Sequence, residues 1–322
     1  MKKQRRRCFD GRRWHRSHLT QIESWILRAC YHPCHADYLR LLGASLFQWL
    51  VPSPPGRVGS RRVLRWTRLV RRDGRRKRDM TYCVGVLLKD GVVLASDSRT
   101  NAGVDNFATF CKMSVFERPD DRLIVLLSSG NLAGTQAVIS VLKQRGEAEQ
   151  DGVASIWNAR TMFDVAILVS DAVRDLECRD GKYLAASATP FNASFIIGGQ
   201  IKGEPPRLFR TFAEGNFIEA GADTPFFQTG EAKYGKPIID RVITPETSLS
   251  DAAKCVLVSF DSTMRSNLSV GMPIDLVFYE RDSLKLGVRR RFEPGDPYFS
   301  TLSKEWSEGV RSVFRHLPAI GL

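Results

Sequence analysis

From residue 81 onward the chain is written in blocks, and the order of the blocks restricts the fold more than any other feature. Thr81 to Lys89 (TYCVGVLLK) is rich in strand-forming residues, Asp90-Gly91 is a two-residue turn signal, and Val92 to Ser98 (VVLASDS) runs back as a second strand. Met113 to Glu117 and Leu123 to Ser128 form another pair around Pro119-Asp120-Asp121. Apolar residues at helical spacing then predict helices over Leu132 to Arg145 and Val153 to Asp175. Strands follow near Ala193 to Ile201, Arg207 to Phe212 and Asn216 to Glu219, helices near Glu231 to Ile243 and Ser250 to Ser266, and strands near Ile274 to Glu280 and Leu284 to Arg290. Tight turns between successive strands, with helices arriving in pairs, exclude a parallel βαβ fold. They imply an α+β protein: two antiparallel sheets face to face, with a helix pair outside each. Pro297 to Leu317 adds a C-terminal helix beyond that core, in an extension from about residue 295.

Residues 1–79 are of another kind. They hold 21 of the 48 Lys+Arg but 5 of the 35 Asp+Glu, with four of the six Trp and four of the five His. No period of 2 or 3.6 is sustained there. The net charge of +13 therefore belongs to this leader, and the remainder is slightly acidic. Phosphate neutralisation across the whole protein is accordingly not expected, and a nucleic-acid role is unlike the rest of the chain. Cys30, His32, Cys34 and His35 are too close together to close a tetrahedral site alone, so no metal and no cofactor is expected. Three cysteines in the leader and four dispersed in the body (Cys83, Cys111, Cys178, Cys255) read as reduced thiols, with Cys83 a buried strand residue. The longest apolar run, Tyr38 to Val51, is interrupted by Arg40 and falls short of the roughly 18 residues that span a bilayer, so no membrane role and a cytoplasmic location are expected. The leader reads as disordered, either an upstream extension before the true start at Met80 or a propeptide that is removed; the domain proper is 80–322.

The segment MTYCVGVLLKDGVVLASDSRTNAGVDNFATFCKM, Met80 to Met113, closely resembles the opening of the Anbu peptidases, the bacterial branch of the proteasome and HslV family, and the resemblance continues to about Arg281. It implies an N-terminal nucleophile hydrolase fold, an αββα sandwich, with a threonine at the first residue attacking the scissile carbonyl. Thr81 matches that position. A threonine hydroxyl is a weak nucleophile near neutrality and needs a base within reach; its own α-amine, with a reference pKa of about 7.7 to 8.0, serves if the residue is terminal. Amide-bonded to Met80, Thr81 has no such base, so an intact leader predicts an inactive enzyme.

Pairing Lys89 with Val92 across the Asp90-Gly91 turn places Thr100 opposite Thr81 and brings Asp97 and Arg99 to the same end of the hairpin. Lys112 matches the family's active-site lysine; its ammonium would favour the threonine oxyanion and keep the amine unprotonated, with Asp97 holding the lysine and Arg99 reinforcing Asp97. Gly130, in Ser128-Ser129-Gly130-Asn131, matches the glycine whose N–H receives the tetrahedral oxyanion. The resemblance further implies a small to medium, largely uncharged first substrate pocket from Thr100, Cys111, Ser128 and Leu132. One departure stands out. Proteasome β subunits carry an Asp three residues before a Ser near the terminal amine, whereas here Ser266 precedes Ser269. Glu231 is a substitute carboxylate or merely a helix-start residue.

The implied activity is threonine-type endopeptidase action on peptides or unfolded protein, in a homo-oligomeric ring or spiral stack. The same nucleophile would also suit a non-peptide amidohydrolase, and a blocked amine would leave a catalytically silent structural assembly. Whether an ATPase partner exists is not written in the sequence.

Overall fold

A computed structural model of the chain describes residues 81–101, 107–147, 153–186 and 191–321. The basic leader, with its Cys30 to His35 cluster, lies outside the described residues. Within them the order is β1 (Tyr82–Leu88), β2 (Gly91–Asp97), β3 (Arg99–Asn101), β4 (Phe107–Thr109), β5 (Met113–Arg118), β6 (Arg122–Gly130), α1 (Leu132–Glu147), α2 (Met162–Ala186), β7 (Ala193–Ile201), β8 (Arg207–Thr211), β9 (Phe217–Glu219), β10 (Phe226–Gly230), α3 (Ala232–Val242), α4 (Leu249–Ser266), β11 (Ile274–Glu280), β12 (Val288–Phe292) and α5 (Pro297–Arg315).

Two five-stranded antiparallel sheets form, ordered β10-β1-β2-β11-β12 and β5-β6-β7-β8-β9, with β3 and β4 as a separate ribbon. Side chains alternate faces along a strand, and here both faces are covered. On β1, Tyr82, Val84, Val86 and Leu88 pack under α3 and α4, joined by Phe299 at the start of α5, while Cys83 faces the other way. Between the sheets, Val92 and Leu94 meet Leu123, Val125, Leu127, Ile196 and Leu208. The far face of the second sheet offers Ile124, Leu126, Phe195 and Ile197 to Val138 and Leu142 of α1 and to Val165, Val169 and Val173 of α2. The expected order of layers, helices, sheet, sheet, helices, is therefore present.

Several boundaries depart from expectation for local reasons. The helix expected from Val153 starts at Met162, because Thr161 and Asp164 exchange side-chain to backbone hydrogen bonds (3.0 and 3.1 Å) that close a capping box there. Residues 153–161 instead form a turn held by the buried guanidinium of Arg122, which donates to the carbonyls of Ile156 and Ala159 at 2.7 and 3.0 Å. The same helix runs on past Asp175 to Ala186. The last strand begins at Val288, not Leu284, since Asp282 and Leu284 take positive φ in a turn. Strand β10 and the β3–β4 ribbon were not anticipated. Finally, Cys83, Cys111 and Cys255 are free thiols.

Candidate active site

Strand register decides which groups can meet at the end of the first sheet. Leu88 pairs with Gly91 and Cys83 with Ser96, so the hairpin turns on Lys89 and Asp90, and Tyr82 faces Asp97. The expected Lys89–Val92 pairing, with Thr100 opposite Thr81, is two residues out of step. Gly91 belongs to the strand because β11 presses against it: a Cβ there would lie 1.9 Å from the Tyr279 carbonyl oxygen. The corrected register has a direct consequence: the Tyr82 N–H donates to Asp97 Oδ1 at 3.0 Å, so Asp97 is tied to the residue that follows Thr81.

From the other sheet comes Lys112, immediately before β5. Its Nζ lies 2.7 Å from Asp97 Oδ1 and also donates to the Arg99 carbonyl at 2.6 Å. Both charged groups are buried, Asp97 at 0% exposure and Lys112 at 6%. Burial raises the Asp97 carboxyl above its ordinary pKa, opposed by the Lys112 charge and hydrogen bond and by the N–H groups of Tyr82 and Gly271. An ion pair in such surroundings contributes little net stability, because desolvation offsets the attraction.

Thr81 itself is buried. Its carbonyl accepts the Glu231 N–H at 2.8 Å. That approach needs Gly230, where φ is +82° and a Cβ would lie 1.8 Å from the Thr81 oxygen. Strand β10, paired with β1 from Tyr82↔Gly230 to Val86↔Phe226, delivers this contact. Glu231 thus reaches Thr81 through its backbone; it flanks the start of α3 without capping it, and its carboxylate lies 3.4 Å from Lys233 Nζ.

Gly130 closes β6 with φ +113°, and a Cβ there would fall 2.2 Å from the Asn192 carbonyl oxygen. Along β6 the Ser128 N–H donates to the Lys112 carbonyl, while the Asn131 N–H turns the opposite way, to Asn192. Alternation therefore aims the Gly130 N–H with that of Ser128, past the point where β5 begins. Asn131 caps α1 by accepting the Gly134 N–H at 3.1 Å.

Of the expected pocket residues, Ser128 donates its hydroxyl to the Lys112 carbonyl at 3.2 Å, and Leu132, half-buried, opens α1. The Thr100 hydroxyl on β3 is buried and has no hydrogen-bond partner among the described residues. Cys111 is exposed and its Sγ donates to the Met113 carbonyl at 3.2 Å and to Asp275 Oδ2 at 3.5 Å. That carboxylate, unforeseen from sequence, also takes the Ser98 hydroxyl at 2.8 Å and Arg291 Nη1 at 3.0 Å.

The Arg99 guanidinium donates to the Leu268 carbonyl at 2.9 Å, securing the loop after α4, and its main-chain carbonyl accepts from Lys112. Ser269 in that loop donates both its hydroxyl and its N–H to Asn267 Oδ1. Asn267, the C-cap of α4, was overlooked; Ser266, in the position of the family's Asp, is exposed.

Two antiparallel sheets between helix layers, with a threonine beside a buried Lys–Asp pair at the first strand, define the N-terminal nucleophile hydrolase fold. A family model described as Proteasome, proteasome subunit, matches residues 80–278. Proteasome subunit beta 2 of Pyrobaculum calidifontis is 27% identical over 202 residues, 63% of this chain and 90% of that one. Among solved structures, Anbu (ancestral beta-subunit) from Yersinia bercovieri matches with a TM-score of 0.70 at 46% identity, over 75% of this chain and 100% of that one. The helical assembly of the Anbu complex from Pseudomonas aeruginosa matches with a TM-score of 0.71 at 50% identity, over 75% and 98%. The chain belongs to the proteasome family, as an Anbu-type member.

Proposed function

We propose that the protein is a threonine-type endopeptidase that works from a free amine at Thr81. The observation that carries this reading is the buried Lys112–Asp97 pair, hydrogen-bonded to the N–H that follows Thr81. A pair so expensive to desolvate has little structural use, but beside a threonine hydroxyl it supplies the charge that nucleophilic attack requires.

In the proposed reaction the Thr81 amine takes the hydroxyl proton as Oγ1 bonds to the substrate carbonyl carbon. The Gly130 N–H receives the oxyanion, and the amine returns the proton to the departing peptide nitrogen. An acyl-enzyme ester remains, which water opens by the same route in reverse. Thr100, Cys111, Ser128 and Leu132 border the first side-chain pocket, and Ser269, braced by Asn267, lies by the amine. Release of that amine requires loss of residues 1–80, by initiation at Met80 and trimming of the Met or by cleavage of a longer leader. Peptides and unfolded segments are the substrates.

Homo-oligomeric assembly is part of the same reading. Trp306, Val310, Val313 and Phe314 lie at helical spacing on α5, with Leu317 just beyond its end, and all five are exposed in the single chain. The solved Pseudomonas aeruginosa relative is a helical assembly, which favours a second copy as the cover.

Mass spectrometry of the purified protein together with a fluorogenic peptide panel tests the proposal. A chain beginning at Thr81 should cleave peptides, and Thr81→Ala should abolish turnover with assembly unchanged. Full turnover by Thr81→Ala would remove Thr81 from the mechanism. Activity on simple amides alone would make the protein an amidohydrolase.

A further inference from the structure

A nucleophile at a chain terminus has a mechanical difficulty: no preceding residue holds it, so its place must be imposed from residue 82 onward. Tyr82 is where the structure concentrates that restraint. Its N–H is held by Asp97, and its phenol, at 0% exposure, sits in a directional hydrogen-bond chain. Gln228 Nε2 donates to the Tyr82 oxygen at 2.5 Å, the Tyr82 hydroxyl donates to Ser259 Oγ at 3.1 Å, and the Ser259 hydroxyl donates to the Val256 carbonyl at 2.6 Å. The chain thus runs from β10 through β1 into α4. Each of the two hydroxyls gives one proton and receives one, so both are satisfied.

The surroundings are shaped around the phenol oxygen. A Cβ at Gly235 of α3 would lie 2.1 Å from it, and the Phe260 ring packs at 4.7 Å between centroids. Burial raises the Tyr82 pKa strongly, which keeps the hydroxyl protonated as a donor. A phenylalanine would fill the same apolar space, so packing alone does not explain a tyrosine here. What the hydroxyl adds is a fixed position along β1. Gln228 lies two residues before Gly230, the residue that admits the Thr81 carbonyl, so one strand locates both the phenol and the nucleophile's backbone.

We infer that Tyr82 is a positioning residue, whose buried hydroxyl sets the reach of Thr81 toward Lys112 and the substrate carbonyl. This rests on the threonine-nucleophile reading, because it concerns that nucleophile's placement. A displacement of about 1 Å at a reacting atom can cost on the order of 100-fold in rate.

The test compares Tyr82→Phe with the double variant Tyr82→Phe/Gln228→Met, which removes the amide left unpaired by the first change. Both are made in the full chain and assayed as the processed, assembled protein with fluorogenic peptides, well below their thermal midpoints. Tyr82→Phe should lower kcat at least tenfold with KM within about twofold. The double variant should regain thermal midpoint but not kcat. If kcat recovers together with stability, or never falls, the hydroxyl is only structural and the inference fails. Amide hydrogen exchange at residue 82 provides a reading free of turnover: Tyr82→Phe should accelerate it at least tenfold, with β2 amides unchanged. Unaltered exchange overturns the anchor. Faster exchange in a protein whose wild type cleaves nothing would retain the anchor while the peptidase reading falls.

Discussion

Replacing Lys112 with methionine keeps the stem of the side chain and deletes its charge, leaving the Asp97 carboxylate at 0% exposure with backbone N–H groups as its hydrogen-bonding company. Breaking a buried pair from one side costs about 3–5 kcal/mol. For a domain of this size that lowers Tm by roughly 6–20 °C. The cost has a definite sign with pH. Burial already raises the Asp97 carboxyl above its unfolded value, and Lys112 is the strongest force opposing that rise. In Lys112→Met the folded pKa climbs further, so stability associated with the protonated acid is whole below the unfolded pKa of about 3.9 and drains away as pH rises through the folded pKa. The deficit relative to wild type should therefore be largest at neutral pH and shrink on acidification. Urea unfolding at pH 7 and pH 5 measures it. Adding Asp97→Leu removes the stranded carboxylate, and the double variant should recover most of the loss while remaining inactive. A Lys112→Met deficit below about 1 kcal/mol, or one indifferent to pH, would refute the claim that this pair is a buried charge couple retained for chemistry.

Three further outcomes are expected. Gly130→Ala forces a side chain against the Asn192 carbonyl at positive φ, so stability should fall by about 1–3 kcal/mol and kcat by roughly 100-fold; turnover within threefold of wild type would remove Gly130 from the oxyanion site. Burial pushes the Cys255 thiol up to about 11 and raises the Cys83 thiol and the Tyr82 phenol as well, so stability from the protonated thiols should be intact below their unfolded value of about 8.5 and lost toward pH 11. An alkaline titration followed by near-ultraviolet circular dichroism would show it, and a flat profile from pH 8 to 11 would contradict it. Val310→Glu with Phe314→Glu places charges on the exposed α5 stripe and should lower the particle mass in light scattering without lowering Tm; an unchanged mass would place the subunit contact elsewhere.

The layers were legible because they rest on the order of apolar residues along the chain: Ala193–Ile201 and Ile274–Glu280 appear as strands with the limits read from the sequence, since both carry apolar residues on two buried faces. Thr81, Asp97 and Lys112 were legible too, as residue types at a family spacing, and the last two meet at 2.7 Å. What stayed hidden depends on a third element that local sequence does not announce. Asp90-Gly91 is a good turn signal, and nothing nearby reveals that β11 draws Gly91 into the sheet and moves the turn back to Lys89 and Asp90. Phe226–Gly230 is short and precedes a helix, so it reads as loop, yet as an edge strand it brings Gly230 to the Thr81 carbonyl.

The same reasoning explains why the residues that surround Thr81, Asp97 and Lys112 do not stand out in the sequence. Asn267, Asp275, Gln228 and Ser259 are ordinary polar residues in sequence; their partners lie 2, 177, 146 and 177 positions away for Ser269, Ser98 and, in the last two cases, Tyr82. The only sequence signal open to them was their polarity in apolar surroundings: Ser259 interrupts Cys255 to Phe260, and Asp275 interrupts Ile274 to Tyr279. A polar side chain inside such a run must find a partner or forfeit stability, since an unsatisfied buried polar group costs about 1–3 kcal/mol. Its presence therefore predicts a partner without saying where. In this fold the partners of Asp275 and Ser259 are Ser98, next to Asp97, and Tyr82, next to Thr81, so the polar interruptions mark the end of the first sheet that carries Thr81 and Asp97.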